Sequence, residues 1–246
     1  MKLQQLYSYT RQAIDDYHMI EEGDKIAVGI SGGKDSLTLF YALSGLRRFY
    51  PKKFELIAIS VDLGYDNFDL GGVKKLCEEL NVPYYIVPTK ISEILSKECK
   101  KSSPCSLCAK LRKGAFNDKA LELGCNKIAY AHHLDDVVET MLLSLIFEGR
   151  FSCFSPKTFL DKTNLTVIRP LIYVTEANVI GFRNKYQLPV VNNPCAFDGY
   201  TQREYAKNLV RQVHKEHPGA KQRMFHAIQT GSIPGWSTLK GDNADE

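Results

Sequence analysis

Five short apolar runs alternate with longer helical segments along this 246-residue chain, and that alternation constrains the fold more than any other feature. Residues 25–30 (KIAVGI), 54–61 (FELIAISV), 84–87 (YYIV), 127–131 (KIAYA) and 167–171 are short and apolar and read as strands. Residues 3–20 space Leu3, Leu6, Tyr7, Ile14, Tyr17 and Ile20 at roughly helical intervals, with Glu22-Gly23-Asp24 as the stop. Further helices are expected over 36–49, 70–80, 107–123 and 135–146. This order predicts an α/β fold, a doubly wound, Rossmann-like parallel sheet with helices on both faces. A chain of this length buries a core without disulfide or metal staples. The expected organisation is an N-terminal helix over 1–24, a main domain over 25–215 and a C-terminal tail over 216–246, frayed from 232 onward.

Ligands of such sheets bind beyond the carboxyl ends of the strands. Ser31, Asp62 and His132 stand just past three of these ends. The first junction reads Ser31-Gly32-Gly33-Lys34-Asp35-Ser36. Two glycines let the backbone turn tightly and approach a ligand closely. The N–H groups opening the next helix lack intrahelical partners, and the helix dipole favours an anion there. Lys34 adds positive charge, and Ser31 and Ser36 add hydroxyls. This is a phosphate-binding junction, too short for the Gly-x4-Gly-Lys-Ser/Thr pattern. The fourth strand is followed by His132-His133-Leu134-Asp135-Asp136. Acids are favoured at a helix start by the dipole alone; beside a triphosphate they also suit Mg²⁺ or proton chemistry, with a histidine near the nucleotide.

Seven cysteines are present. Cys105-Ser-Leu-Cys108 forms a Cys-x-x-Cys pair inserted before the fourth strand. Two thiolates at this spacing grip a metal or cluster, or act as a redox pair. A third ligand must come from far along the chain, and Cys195 in Asn-Asn-Pro-Cys is the candidate. Cys77, Cys125 and Cys153 read as packing residues, and Cys99 carries no reading of its own. No second Cys-x-x-Cys exists, which disfavours a four-cysteine zinc site. Three thiolates suit a [4Fe-4S] cluster with one iron left open.

The hexapeptide at 31–36 resembles the pyrophosphate (PP) loop of the N-type ATP pyrophosphatases. That likeness implies an adenine nucleotide alpha hydrolase-like fold and an enzyme that splits ATP at the α-phosphate. Cys-Ser-Leu-Cys-Ala-Lys-Leu-Arg-Lys-Gly at 105–114, His-His-Leu-Asp-Asp at 132–136, Val-Ile-Arg-Pro-Leu at 167–171 and Pro-Cys at 194–195 are together similar to the tRNA 2-thiocytidine synthetase family. The similarity runs over about 20–215 and departs from the family after Cys195, where Ala-Phe-Asp-Gly lacks a further cysteine. It implies ATP-dependent tRNA thiolation: adenylation of the C2 oxygen of an anticodon-loop cytidine, then replacement by sulfur delivered through an iron–sulfur cluster. It implies ATP, Mg²⁺ and a [4Fe-4S] cluster as cofactors, and tRNA and a sulfur donor (a cysteine desulfurase or sulfide) as partners. Lys34, Asp35, Arg112 and Asp136 are expected to be catalytic. Ser31, Gly32, Gly33, Lys34, Asp35, Ser36, Asp62, His132 and Asp136 are expected to bind nucleotide and its metal, and Cys105, Cys108 and Cys195 the cluster. Thiolation of another tRNA base or a small molecule, and a cluster- and nucleotide-binding redox sensor, are the alternatives.

The net charge of +4 permits an RNA partner without requiring one. Lys207, Arg211 and Lys215 fall four apart on one helix face, with Lys221 and Arg223 close behind, and such a stripe suits a phosphate backbone. Arg169 and Arg203 are further candidates for holding negative charge. No segment has the roughly 18 uncharged apolar residues of a membrane span, and the N-terminus has no apolar signal core. A cytoplasmic protein is therefore expected, with a homodimer as one way to widen the RNA surface.

Overall fold

The computed structural model describes residues 1–65, 69–98, 104–191 and 202–236. Helix α1 (Leu3–Asp16) precedes β1 (Asp24–Gly29), α2 (Lys34–Leu46), β2 (Phe54–Asp62), α3 (Gly71–Glu79), β3 (Tyr84–Pro88), α4 (Ile91–Glu98) and α5 (Pro104–Glu122). Then come β4 (Lys127–Ala129), α6 (Leu134–Leu143), a π-helical turn (Ser144–Glu148), β5 (Lys157–Leu160), β6 (Leu165–Ile168), α7 (Glu176–Tyr186), α8 (Gln202–Glu216) and α9 (Ala220–Thr230). The six strands form one sheet in the order β3-β2-β1-β4-β6-β5. The first five are parallel; β5 joins as an antiparallel edge on β6. The doubly wound α/β expectation holds, with that one antiparallel strand added.

Alternation along each strand divides the core. Ile26, Val28, Leu56, Ala58 and Ile168 face a large cluster with Phe40, Leu43, Val137, Phe182 and Trp236. Ala27, Ile57, Ile59, Ile128 and Val167 face a smaller one closed by Phe116 and Ala120 of α5. Burial on both faces is why these strands read as continuous apolar runs rather than alternating ones. No helix among the described residues is long and apolar enough to cross a membrane.

Several boundaries move for identifiable reasons. The first helix stops at Asp16, because His18 takes a left-handed φ of 44°. Met19 and Ile20 are still buried in the core, so the apolar pattern runs past the helix end. The expected strand 167–171 ends at Ile168. Beyond it, Ile172 and Val174 donate back to Arg169 and Leu171 in turns, while Leu171, Ile172 and Val174 remain buried. Strand β5 has no apolar run to mark it in the sequence, being a four-residue edge strand just after Pro156. Within the expected tail 216–246, α9 buries Phe225 and Ile228, and Trp236 is fully buried. The described part of that tail is therefore anchored at Phe225, Ile228 and Trp236, the last of them inside the stretch expected to fray.

Candidate active site at the carboxyl edge of the sheet

The phosphate-binding junction forms where β1 gives way to α2. Gly32 adopts φ +80°, a region L side chains avoid, and a Cβ there would lie 2.9 Å from the Cβ of Val191. Val191 is held at that spot because its N–H donates to the Gly32 carbonyl at 3.0 Å. Ser36 Oγ donates to the Gly33 carbonyl at 2.9 Å and accepts the Ser31 N–H at 3.2 Å. Ser31 Oγ accepts the Gly33 N–H at 3.3 Å. The two serines thus tie the loop to the first turn of α2, whose leading N–H groups have no intrahelical acceptor.

Charged side chains from α7 and α8 gather around this loop. Lys34 Nζ lies 3.0 Å from the Asp35 carboxylate and 3.3 Å from Glu176 at the start of α7. Lys207 of α8 holds the same Glu176 at 2.7 Å, with Arg211 at 4.0 Å. Burial opposes the charge on Glu176, but the Lys207 hydrogen bond and the Lys34 ammonium outweigh it and bring its carboxyl down to about 2. Burial likewise opposes the charge on Lys34; Asp35 and Glu176 overcome it and raise its pKa.

The acidic pair that opens α6 divides its work. Asp135 is buried, accepts the Glu176 N–H at 2.7 Å and binds Lys221 of α9. Asp136 and His133 form a capping box: Asp136 accepts the His133 N–H at 2.9 Å, and His133 Nδ1 accepts the Asp136 N–H at 3.3 Å. An Nδ1 that accepts leaves the ring proton on Nε2, which lies 3.6 Å from Asp35 Oδ1. His133 therefore links the phosphate loop to Asp136. Arg203 at the start of α8 holds Asp136 at 2.9 Å and Glu139 at 3.6 Å.

His132 faces a different set of neighbours. Its ring stacks on Phe154 at 4.5 Å between centroids, and its Nδ1 accepts from Arg169 Nε at 3.2 Å. Burial, reinforced by the Arg169 charge, pushes His132 down to about 4. Arg169 is itself lowered by burial to about 10, so it stays cationic near neutral pH.

Among the expected site residues, Ser31, Gly32, Gly33, Lys34, Asp35, Ser36 and Asp136 converge through these contacts. Asp62 turns into its own loop, where Oδ1 accepts the Gly64 N–H at 2.9 Å. Cys105 and Cys108 occupy the first turns of α5, exposed and half-buried respectively. Because α5 runs into the parallel strand β4, its N-terminal end lies at the carboxyl edge of the sheet. Phe116 packs on the sheet; Cys105, 11 residues earlier, stands about 16 Å further along the helix axis. Arg112 is exposed on α5 and its charge reaches Tyr130 at the end of β4. Cys195 and Cys99 lie outside the described residues. Cys77, Cys125 and Cys153 carry thiols raised by burial to about 12, 11 and 11.

The donor set bears on what can bind. Among the described residues no three His, Cys, Asp or Glu groups converge as a metal cage. Asp35 and Asp136 sit at opposite nitrogens of His133. That arrangement fits a Mg²⁺ that arrives on phosphate oxygens and keeps waters, as Mg²⁺ usually does. Two thiols one helical turn apart, opening a helix whose N-terminus favours anions, fit part of a cluster ligand set.

Sequence reading missed Glu176, whose partner Lys34 is 142 positions away. Of the basic stripe expected to face RNA, Lys207 turns inward to Glu176 and its neighbour Lys221 to Asp135, while Arg211 stays exposed with Glu176 at 4.0 Å.

A family model described as PP-loop domain matches residues 3–216. A protein of Geobacter sulfurreducens named tRNA-cytidine(32) 2-sulfurtransferase is 40% identical over 220 residues, 88% of this chain and 86% of its own length. A protein of the same name from Pelobacter propionicus is 39% identical, covering 88% and 82%. Among solved structures, the U34-tRNA thiolase NcsA from Methanococcus maripaludis with its [4Fe-4S] cluster superposes with a TM-score of 0.73 at 27% identity, over 90% of this chain and 76% of that one. The NH3-dependent NAD synthetase of Campylobacter jejuni, 15% identical with a TM-score of 0.50 over 94% and 95% of the two chains, shares the fold.

Proposed function

This chain belongs to the PP-loop domain family, and from that premise we propose that it is an ATP-dependent tRNA sulfurtransferase acting on C2 of a cytidine at position 32 of tRNA, the position in its relatives' name. One observation carries the reading: the Cys105–Cys108 pair and the Ser31–Ser36 loop stand at the same carboxyl edge of the sheet. ATP activation and sulfur delivery then need only one substrate position.

The roles follow from the contacts. Ser31, Gly32, Gly33 and Ser36 present loop and helix N–H groups to the β- and γ-phosphates. Lys34 neutralises phosphate charge once it exchanges Glu176 and Asp35 for the nucleotide. Asp35 and Asp136 would hold a Mg²⁺ that offsets phosphate charge, with His133 fixing the separation of the two carboxylates. Asp62 and His132 border the nucleotide, and Arg112 stabilises charge on the activated base from α5. The base oxygen attacks the α-phosphate and pyrophosphate leaves; sulfur then attacks C2 and AMP leaves.

Cys105, Cys108 and Cys195 form the cluster ligand set. A bound [4Fe-4S] cluster would supply an open iron for carrying sulfur. Support for Cys195 comes from the residues flanking 192–201. Val191 is bonded to Gly32, and Arg203 to Asp136, so both ends of that segment are anchored on the site. Sulfide or a cysteine desulfurase provides the sulfur, and a homodimer widens the surface offered to tRNA.

The test is expression of the chain in cells that lack 2-thiocytidine, followed by mass spectrometry of tRNA nucleosides. We expect 2-thiocytidine to appear with the intact chain and to vanish with Cys105→Ala, Cys108→Ala and Cys195→Ala. Unchanged thionucleosides with a folded, anaerobically reconstituted protein would overturn the reading. Full cluster and activity in Cys195→Ala would overturn the ligand set alone.

A further inference from the structure

His132 borders the nucleotide in the reading above, but its hydrogen bond with Arg169 is unexplained by that role. A guanidinium donates hydrogen bonds and accepts none, so the imidazole nitrogen facing Arg169 Nε must present a lone pair. The ring proton of neutral His132 therefore resides on Nε2. No acceptor among the described residues takes that proton. A half-turn of the ring would keep the stack on Phe154 but forfeit the hydrogen bond from Arg169.

Arg169 is equally well fixed. Its Nη1 donates to the Ser155 carbonyl at 2.6 Å and to Thr158 Oγ1 at 3.2 Å, and its guanidinium lies 4.9 Å from the centre of the same Phe154 ring. Among the described residues no carboxylate forms a salt bridge with it. A half-buried, oriented N–H thus stands beside a cation with no counter-anion. Such a pair favours an oxygen that gains negative charge. His132 directly precedes His133, which reaches Asp35, so this donor stands at the same sheet edge as the phosphate loop.

We propose that Arg169 is a positioning residue that locks His132 in its Nε2–H tautomer, and that His132 is the catalytic donor to the oxygen leaving with AMP. The proposal rests on the sulfurtransferase reading. In the displacement, with hydrosulfide as nucleophile, the C2–S bond forms and the C2–O bond breaks. The electron pair departs on the adenylate oxygen and the hydrosulfide proton is lost to solvent. His132 Nε2–H donates a hydrogen bond to that oxygen and keeps its proton.

The first experiment is nitrogen-15 NMR of the histidine side chains at neutral pH, with the His132 signals assigned by their loss in His132→Gln. We expect an unprotonated Nδ1 and a protonated Nε2 in the intact chain and mixed tautomers in Arg169→Gln. Mixed tautomers in the intact chain would overturn the positioning role, whatever the substrate. The second experiment is steady-state thiolation. His132→Phe keeps a stackable ring without a donor and should lower kcat on the order of a hundredfold, with KM for ATP shifting far less. His132→Gln, which restores an N–H near the Nε2 position, should recover part of that loss. Equal kcat for the intact chain and the Phe variant would refute the donor role. An intact chain that makes no thionucleoside while showing the single tautomer would instead refute the sulfurtransferase reading.

Discussion

Replacing Gly32 with alanine should separate two physical reasons for a glycine at the heart of the phosphate loop. At φ +80° an L residue is strained by roughly 1–2 kcal/mol. The added methyl would also sit 2.9 Å from Val191 Cβ and 3.1 Å from its Cγ2, well inside the 3.5–4.0 Å at which carbon atoms attract. Val191 cannot simply withdraw, because its N–H is bonded to the Gly32 carbonyl. Overpacking of this kind costs about 1–3 kcal/mol. Gly32→Ala should therefore lower unfolding stability by roughly 2–5 kcal/mol. Val191→Gly removes both clashing atoms and leaves only the Val191 Cα, 3.9 Å away. Urea unfolding of the intact chain, both single variants and the double variant closes a cycle. The coupling should be about 1–3 kcal/mol in the sense that Gly32→Ala is better tolerated beside glycine at 191. A coupling of zero would mean the Val191 contact imposes nothing on the loop, and the steric part of the argument would be wrong.

Glu176 should make stability depend on acid. Its folded pKa of about 2 lies below the ordinary 4.5, so the unfolded chain binds the proton first as pH falls. The contribution is fully present above 4.5 and is lost as pH drops through about 2; its ceiling is on the order of 3 kcal/mol. Melting curves from pH 6 to 2 should show the gap between the intact chain and Glu176→Gln narrowing over that window, and a constant gap would contradict the assignment. Trp236→Ala, in the part of the chain expected to be frayed, should cost about 3–5 kcal/mol in chemical denaturation because the ring is fully buried; a change under about 1 kcal/mol would be inconsistent with that packing.

Much of the fold was legible because it rests on local patterns. A buried parallel strand needs an unbroken apolar run, and 25–30, 54–61 and 127–131 show it. The phosphate loop was legible too, since its requirements (two glycines, a lysine and hydroxyls at a helix start) fall within six consecutive residues. The capping box of His133 and Asp136 lies within one motif for the same reason. Element ends were less legible. Met19, Ile20 and Leu171 are buried without being helix or strand, and apolar burial alone does not distinguish those cases.

The chain's own residues thus determined the sheet, the phosphate-binding junction and the cysteine pair. Only the tertiary structure decided which charges meet. Lys34 meets Glu176, Lys221 meets Asp135 and Arg169 meets His132 across 142, 86 and 37 positions, respectively. The parallel sheet brings these residues to one edge, and electrostatic partnership depends on distance in space. Spacing along the chain carries that information only within a single helix, strand or turn.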